Sequence, residues 1–221
     1  SEQVDALHSK TISTAAKITE TKVLKWADKL TTDSKIVKKI YKEKLDVDFE
    51  FFYAPLDTKN FLKLKNIEKK EKQIIFIGRD SYEKGIDILK GIESKINGKI
   101  IYCTDMKWED AMENLKASSI LVIPSRMESI PQVIKEAFYL KVPVIASNVG
   151  GIPELITDNV TGILVPPNNP ELLQNAINKL LLDDETAKRI SDSGYEFVMN
   201  NLTWEVLLPE YVKFYENLVN S

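Results

Sequence analysis

Three short stretches of the 221-residue chain carry residue types that could act together, and each follows a run of apolar, β-branched residues. The first is Gly78-Arg79-x4-Lys84-Gly85. Two cations on one loop, flanked by glycines that permit close backbone approach, make an anion site suited to phosphate. A helix N-terminus beside them would add N–H donors. The same spacing also fits a plain surface turn. The second stretch is Pro124-Ser125-Arg126-Met127-Glu128-Ser129-Ile130-Pro131, with Glu136 further along the helix that follows. Proline is favourable at a first helical position, and the amides near Ile130, Gln132 and Val133 are then free to face an anion. A carboxylate such as Glu136 in a cleft could accept two hydrogen bonds from a vicinal diol. Taken alone, it reads rather as an ordinary helix surface residue. The third stretch is Val149-Gly150-Gly151-Ile152-Pro153-Glu154, a Gly-Gly turn before a short helix.

These loops need a scaffold that brings strand ends together. From Gln73 onward, short strands at 74–77, 99–103, 120–123, 142–146 and 162–165 alternate with amphipathic helices. The helices fall at 84–96, 108–117, 131–140, 170–182, 185–200 and 204–219. That rhythm predicts an α/β fold with a Rossmann-like parallel sheet and helices on both faces. Ligands of such folds bind at the carboxyl ends of the strands, where all three stretches lie, as does Thr104-Asp105. The front of the chain reads as a helix over 4–26, a strand at 28–32, a helix capped by Asp33 or Ser34 and running to about Lys44, and a strand at 49–53. Residues 59–72 are lysine-rich and weakly patterned, and read as a linker with the main domain boundary in or just before it.

Composition excludes several classes. Hydrophobic residues make up 43% and charged residues 29%, the profile of a globular chain rather than a disordered or fibrous one. Cys103 is the single cysteine and His8 the single histidine, so an internal disulfide, a cysteine zinc site and paired-histidine ligation are out. Cys103 reads as a core thiol and His8 as a surface residue. No apolar run approaches the roughly 18 residues of a membrane span. No leader pattern opens the chain, so the expected location is cytoplasmic. Asp46-Val47-Asp48 has a spacing that could hold a metal, but no third ligand accompanies it. Neither G-x-G-x-x-G nor G-x-x-x-x-G-K-[ST] occurs, which disfavours a Rossmann-type oxidoreductase and a P-loop enzyme. Residues 1–72 carry 16 Lys against 12 acids, and residues 73–221 carry 14 cations against 21 acids. The basic front end suits either solvated helix faces or peripheral contact with an anionic membrane. Basic stretches without interleaved aromatics, on a net acidic chain, argue against nucleic acid.

In order and spacing together, the stretches resemble the nucleotide-sugar-binding domain of retaining GT-B glycosyltransferases of family 4. The matching runs are GRDSYEKG (78–85), VIPSRMESIPQVIKEAF (122–138), VPVIASNVGGIPELI (142–156) and TGILVPPNNPELL (161–173), with Glu128-x7-Glu136 as the family's E-x7-E pair. ADKLTTDS (27–34) and FEFFYAPLDTKNF (49–61) resemble the end of the acceptor domain and its crossing. The resemblance implies residues 1–57 as part of an incomplete second Rossmann-like domain, 58–202 as the donor domain, and 203–221 as a helix crossing back.

It further implies that Arg79, Lys84 and Glu128 are catalytic. The two cations would stabilise the leaving nucleotide diphosphate, and Glu128 would face the donor sugar. Gly78, Thr104, Met106, Ser129, Ile130, Gln132 and Val133 would help bind the donor, and Glu136 would hold the ribose. No metal or other cofactor is implied. The partners implied are a nucleotide sugar and a carbohydrate or lipid-linked acceptor, with a partner chain or oligomer as one source of acceptor-side surface. Two departures stand out: Pro131 replaces a glycine common in relatives, and the acceptor part is short. A split glycosyltransferase half and a non-catalytic nucleotide-sugar-binding module therefore remain as alternatives.

Overall fold

A computed structural model of the chain describes residues 22–220 apart from 25 and 66. Most of the helix expected over 4–26, with His8, lies outside the described residues. The front part holds β1 (Thr31–Thr32), α1 (Lys35–Leu45) and β2 (Glu50–Phe51). Both strands are shorter than the five-residue runs expected, because only Thr31↔Glu50 and Thr32↔Phe51 find partners in a parallel ladder. Ser34, not Asp33, caps α1: its Oγ accepts from Val37 N–H at 3.3 Å.

The main sheet is five parallel strands in the order β4-β3-β5-β6-β7. They are β3 (Gln73–Ile77), β4 (Lys99–Cys103), β5 (Ile120–Ile123), β6 (Val144–Ser147) and β7 (Ile163–Val165). Successive side chains alternate between faces. Ile75, Leu121, Ile123, Val144 and Ala146 enter one buried cluster, and Ile74, Phe76, Ile120, Val122 and Ile145 enter the other. The first is covered by α3 (Trp108–Ala117), α4 (Gln132–Tyr139) and α7 (Asp184–Asn201), and the second by α2 (Ile86–Ile92) and α6 (Pro170–Leu180). Strand β3 pairs with β4 on one side and β5 on the other, so the chain winds outward in both directions from this point. The crevice outside the carboxyl ends of β3 and β5 is the ligand position such sheets provide.

Two helix starts differ from expectation. The helix expected over 84–96 is broken into a 3-10 turn at Tyr82–Lys84, α2, and a second 3-10 turn at Glu93–Lys95. Gly85 lies between the first two at φ +66°, outside the right-handed region, so Lys84 closes a turn instead of opening a helix. Pro131 is the residue before α4, not its first member; its backbone is extended, and its carbonyl accepts from Ile134 N–H at 3.2 Å.

The front part and the sheet domain are joined by several groups. Leu56 N–H donates to Leu202 O at 2.6 Å, and α8 (Trp204–Val219) then runs back over the front segment. There Tyr211 Oη donates to Tyr53 O at 3.0 Å, and Phe52 packs against the rings of Tyr211 and Phe214. The lysine-rich connection holds a 3-10 turn at Thr58–Lys63, pinned by buried Phe61 against Trp108 and Tyr139. The Asp46-Val47-Asp48 carboxylates are engaged by lysines of α1: Lys42 with Asp46 at 2.7 Å and Lys38 with Asp48 at 3.5 Å. No helix among the described residues is long and apolar enough to cross a membrane.

Lys135 on α4 is fully buried, and its Nζ donates to Ala54 O at 2.7 Å. Burial pushes its pKa down from 10.5 to about 8, because the ammonium has left water. Below the folded value both states are protonated and the cost of burying the charge is complete. Between the two values the unfolded chain binds the extra proton, so stability rises with pH across about 8 to 10.5. Relative to Lys135→Met, the wild type should gain on the order of 3 kcal/mol across that window. Paired urea melts at its two ends test this, and parallel pH profiles would refute it.

Candidate functional site

Gly78 follows β3 directly, and its N–H donates to Cys103 O at 3.1 Å, which pins the tips of β3 and β4 together. Arg79 follows, exposed, near enough to the Glu83 carboxyl for its charge to help hold that group below its ordinary value. The chain then makes the Tyr82–Lys84 turn and folds down onto the end of β5. A Cβ on Gly85 would stand 2.0 Å from Pro124 O, so this close approach needs glycine as much as the positive φ does. The approach places Lys84 Nζ 2.7 Å from Glu128 Oε1, and Ser125 Oγ donates to the same oxygen at 2.8 Å. The Glu128 side chain is 8% exposed and that of Lys84 is 25% exposed. Lys84 is therefore not the free cation that the spacing suggests. An arriving anion would share or replace a carboxylate partner that already holds the ammonium in position.

Arg126, the other strand-end arginine, does not face the crevice as a free cation. Its Nη1 and Nη2 grip Asp87 at 2.7 Å each, Nη1 reaches Tyr82 O at 2.6 Å, and Nε reaches Asn168 Oδ1 at 2.7 Å. The guanidinium lies 3.9 Å from the Tyr82 ring centroid. It holds the Asp87 carboxyl below its ordinary range and staples the turn carrying Lys84 to the loop carrying Glu128.

The Gly150-Gly151 pair does more than turn the chain. Gly150 has φ +53°, and a Cβ there would lie 1.8 Å from Glu128 O. Gly151 N–H donates to Ser129 O at 2.9 Å. The loop after β6 is thus the floor on which the Glu128–Ser129 loop rests.

Glu136 is half-buried on the first turns of α4, and burial raises its pKa above the ordinary carboxylate value. Trp108 Nε1 donates to its Oε1 at 2.8 Å and opposes that rise. Trp108 escaped the sequence reading. The signal available was an indole at the start of the helix that follows the β4 end. Near it, Thr104 is half-buried and Met106 exposed, with Asn114 Nδ2 3.9 Å from Met106 Sδ. The amides of Ile130, Gln132 and Val133 find no acceptor among the described residues, as expected of groups at a helix start. Cys103 is buried and its thiol is pushed up to about 11, which suits a core role. Among the described residues, no group of three His, Cys, Asp or Glu could hold a metal ion.

The structure therefore gathers three loops at the carboxyl ends of β3, β5 and β6: an exposed arginine, a lysine–carboxylate pair and open helix-start amides. Electrostatically, cations and open amides at one crevice suit an anion.

Residues 92–197 match the family model described as Glycosyl transferases group 1. An uncharacterized glycosyltransferase of Methanocaldococcus jannaschii is 27% identical over 209 residues, covering 81% of this chain and 54% of its own length. The chain spans about half the length of the curated relatives it matches. Among solved structures, sucrose-phosphate synthase from Thermosynechococcus elongatus superposes with a TM-score of 0.81 at 21% identity, covering 100% of this chain and 64% of its own. An Anabaena protein solved with UDP and glucose gives a TM-score of 0.73 at 15% identity, covering 86% and 64%. At these identities the likeness is one of fold: an α/β fold of the GT-B type, with the front segment as an incomplete second Rossmann-like part.

Proposed function

We propose that the chain carries the donor-binding half of a retaining, group 1 glycosyltransferase of family 4 that uses a nucleotide-diphosphate sugar without a metal. The observation that carries this reading is the Lys84–Glu128 pair at the crevice between β3 and β5, with exposed Arg79 on the same loop as Lys84. The similarity to group 1 glycosyltransferases and the Anabaena neighbour solved with UDP support it.

In this reading Arg79 and Lys84 meet the distal phosphate, and the amides at Ile130, Gln132 and Val133 meet phosphate or sugar oxygens. Negative charge grows on the diphosphate as the glycosidic bond breaks, and preorganised cations lower the barrier most at that moment. Glu128 faces the sugar, Glu136 accepts from the ribose hydroxyls, and Trp108 keeps the Glu136 carboxylate oriented. Gly78 gives the phosphate close approach, while Thr104, Met106 and Ser129 border the donor. A carbohydrate or lipid-linked acceptor is held from the other side of the cleft, where positioning removes several kcal/mol of barrier.

Calorimetric titration with UDP, GDP, ADP and TDP, each with and without EDTA, tests the reading. Binding of one of them is expected, unchanged by chelation. Absence of binding by all four would reject the donor site, and binding abolished by EDTA would reject the metal-free part. Glu136→Ala should weaken the best binder by about 1.5–3 kcal/mol through lost charge-assisted bonds. It should also remove discrimination against the corresponding dideoxyribose nucleotide. Equal affinity of mutant and wild type for the intact nucleotide would remove Glu136 from the site.

A further inference from the structure

We propose that Glu154 is a positioning residue that sets where the front segment stands relative to the donor loops. Its carboxylate crosses the joint between the two parts. Oε1 accepts from Ser34 Oγ at 3.0 Å and from Ile36 N–H at 3.0 Å, and Oε2 accepts from Lys35 N–H at 2.8 Å. The first amides of a helix have no partner inside it, and the helix dipole makes that end partly positive. Glu154 thus supplies, from 118 to 120 residues away in sequence, an external cap for α1. Ser34 is fully buried; its hydroxyl donates to Glu154 while accepting from Val37 N–H.

On its own side Glu154 belongs to α5 (Ile152–Leu155), which starts directly after Gly151. Gly151 donates to Ser129 O, and Gly150 lies against Glu128 O. The N-terminus of α1 is therefore tied, through one short rigid stretch, to the loop that carries Glu128. A second tie stands elsewhere on the joint: Lys135, adjacent in sequence to Glu136, donates to Ala54 O. Two ties alone would leave rotation about the line that joins them; with the Leu56–Leu202 and Tyr211–Tyr53 bonds they define one orientation. The first tie runs to the backbone of the Glu128 loop, and the second starts at the residue before Glu136. The three bonds to Glu154 can form together only at one relative placement, so the residue selects that placement from the ensemble. Only the catalytic consequence rests on the proposed donor site; the joint itself is formed without nucleotide.

The test uses spin labels on the nucleotide-free chain at Lys39→Cys and Lys95→Cys, two exposed positions on either side of the joint. The native Cys103 is buried. Pulsed-dipolar distances are compared for the parent, Glu154→Ala and Glu154→Gln, alongside amide exchange. In Glu154→Ala the distance distribution should widen at least about twofold, as a second placement becomes populated. The Lys35 and Ile36 amides should exchange at least about tenfold faster. Glu154→Gln keeps one acceptor oxygen and should fall between the two on both readouts; it decides the matter if the alanine variant does not fold. UDP affinity should stay within about twofold of the parent, since Glu154 makes no contact with the donor-site side chains. Faster exchange with an unchanged distance distribution would reduce Glu154 to a local cap and overturn the proposal. Unchanged exchange would show that the bonds are not made and overturn it equally. Failure of the parent to bind any nucleotide would refute the donor-site reading while leaving these two readouts standing.

Discussion

Lys84→Met is expected to damage both stability and nucleotide binding, whereas Arg79→Ala should damage binding alone. The two cations lie on the same loop and are assigned the same anion, yet their surroundings differ. Lys84 is bonded to a carboxylate that is 8% exposed, whereas Arg79 is exposed to water and has only the exposed Glu83 carboxyl as a charged neighbour. Removing Lys84 leaves Glu128 buried, with Ser125 Oγ as its remaining partner. Breaking a buried pair from one side costs about 3–5 kcal/mol when the other charge is left uncompensated. Lys84 is a quarter exposed, so the lower end of that range is expected. On the proposed function, in which Lys84 meets the leaving diphosphate, its loss should also slow transfer by about 10²–10³-fold. The double variant Lys84→Met/Glu128→Gln should recover stability without recovering binding. Urea melts of the single and double variants, with UDP titrations, separate the terms. If Arg79→Ala proves as destabilising as Lys84→Met, or if the double variant recovers nothing, the assigned pairing is wrong.

Gly150→Ala should collapse the site from beneath. The position needs φ +53°, which costs a residue with a Cβ about 1–2 kcal/mol. The new methyl would also land 1.8 Å from Glu128 O, a backbone atom, so the Glu128–Ser129 loop must move. Overpacking of this kind adds about 1–3 kcal/mol, giving a total of roughly 2–5 kcal/mol. Displacement of the loop would also pull Glu128 off Lys84, so nucleotide affinity should fall although residue 150 carries no functional group. Gly91→Ala is the control. It lies in α2 with open space around its Cβ and an ordinary φ, and should stabilise by about 0.5–1 kcal/mol. A Gly150→Ala protein that melts and binds UDP like the wild type would show that the loop does not rest on this turn.

Most of the secondary structure follows from local pattern. Lys99–Cys103, Ile120–Ile123, Trp108–Ala117 and Trp204–Val219 occupy the ranges that periodicity predicts. Period 2 and period 3.6 are properties of neighbours. The two strands and Trp108–Ala117 turn apolar residues into the core, whereas Trp204–Val219 buries only Leu207 and leaves Val206, Leu208 and Val212 exposed. The order of strands and helices likewise predicts the parallel sheet, and with it the end of the sheet where the candidate residues lie. The glycines at 85 and 150, the loops bearing Arg79 and Glu128, and the helix bearing Glu136 were visible by the same logic.

What the sequence could not determine is which charges remain available. Lys84 meets Glu128 across 44 residues, Arg126 meets Asp87 across 39, Trp108 meets Glu136 across 28, and Ser34 meets Glu154 across 120. Residue type alone makes Arg126 as good a phosphate ligand as Arg79, and only the fold sequesters one and exposes the other. Such pairings depend on how loops fold back over strand ends, and their energies depend on the water lost there. Neither quantity is carried by spacing along the chain, because burial and long-range contact exist only once the sheet has brought distant residues together.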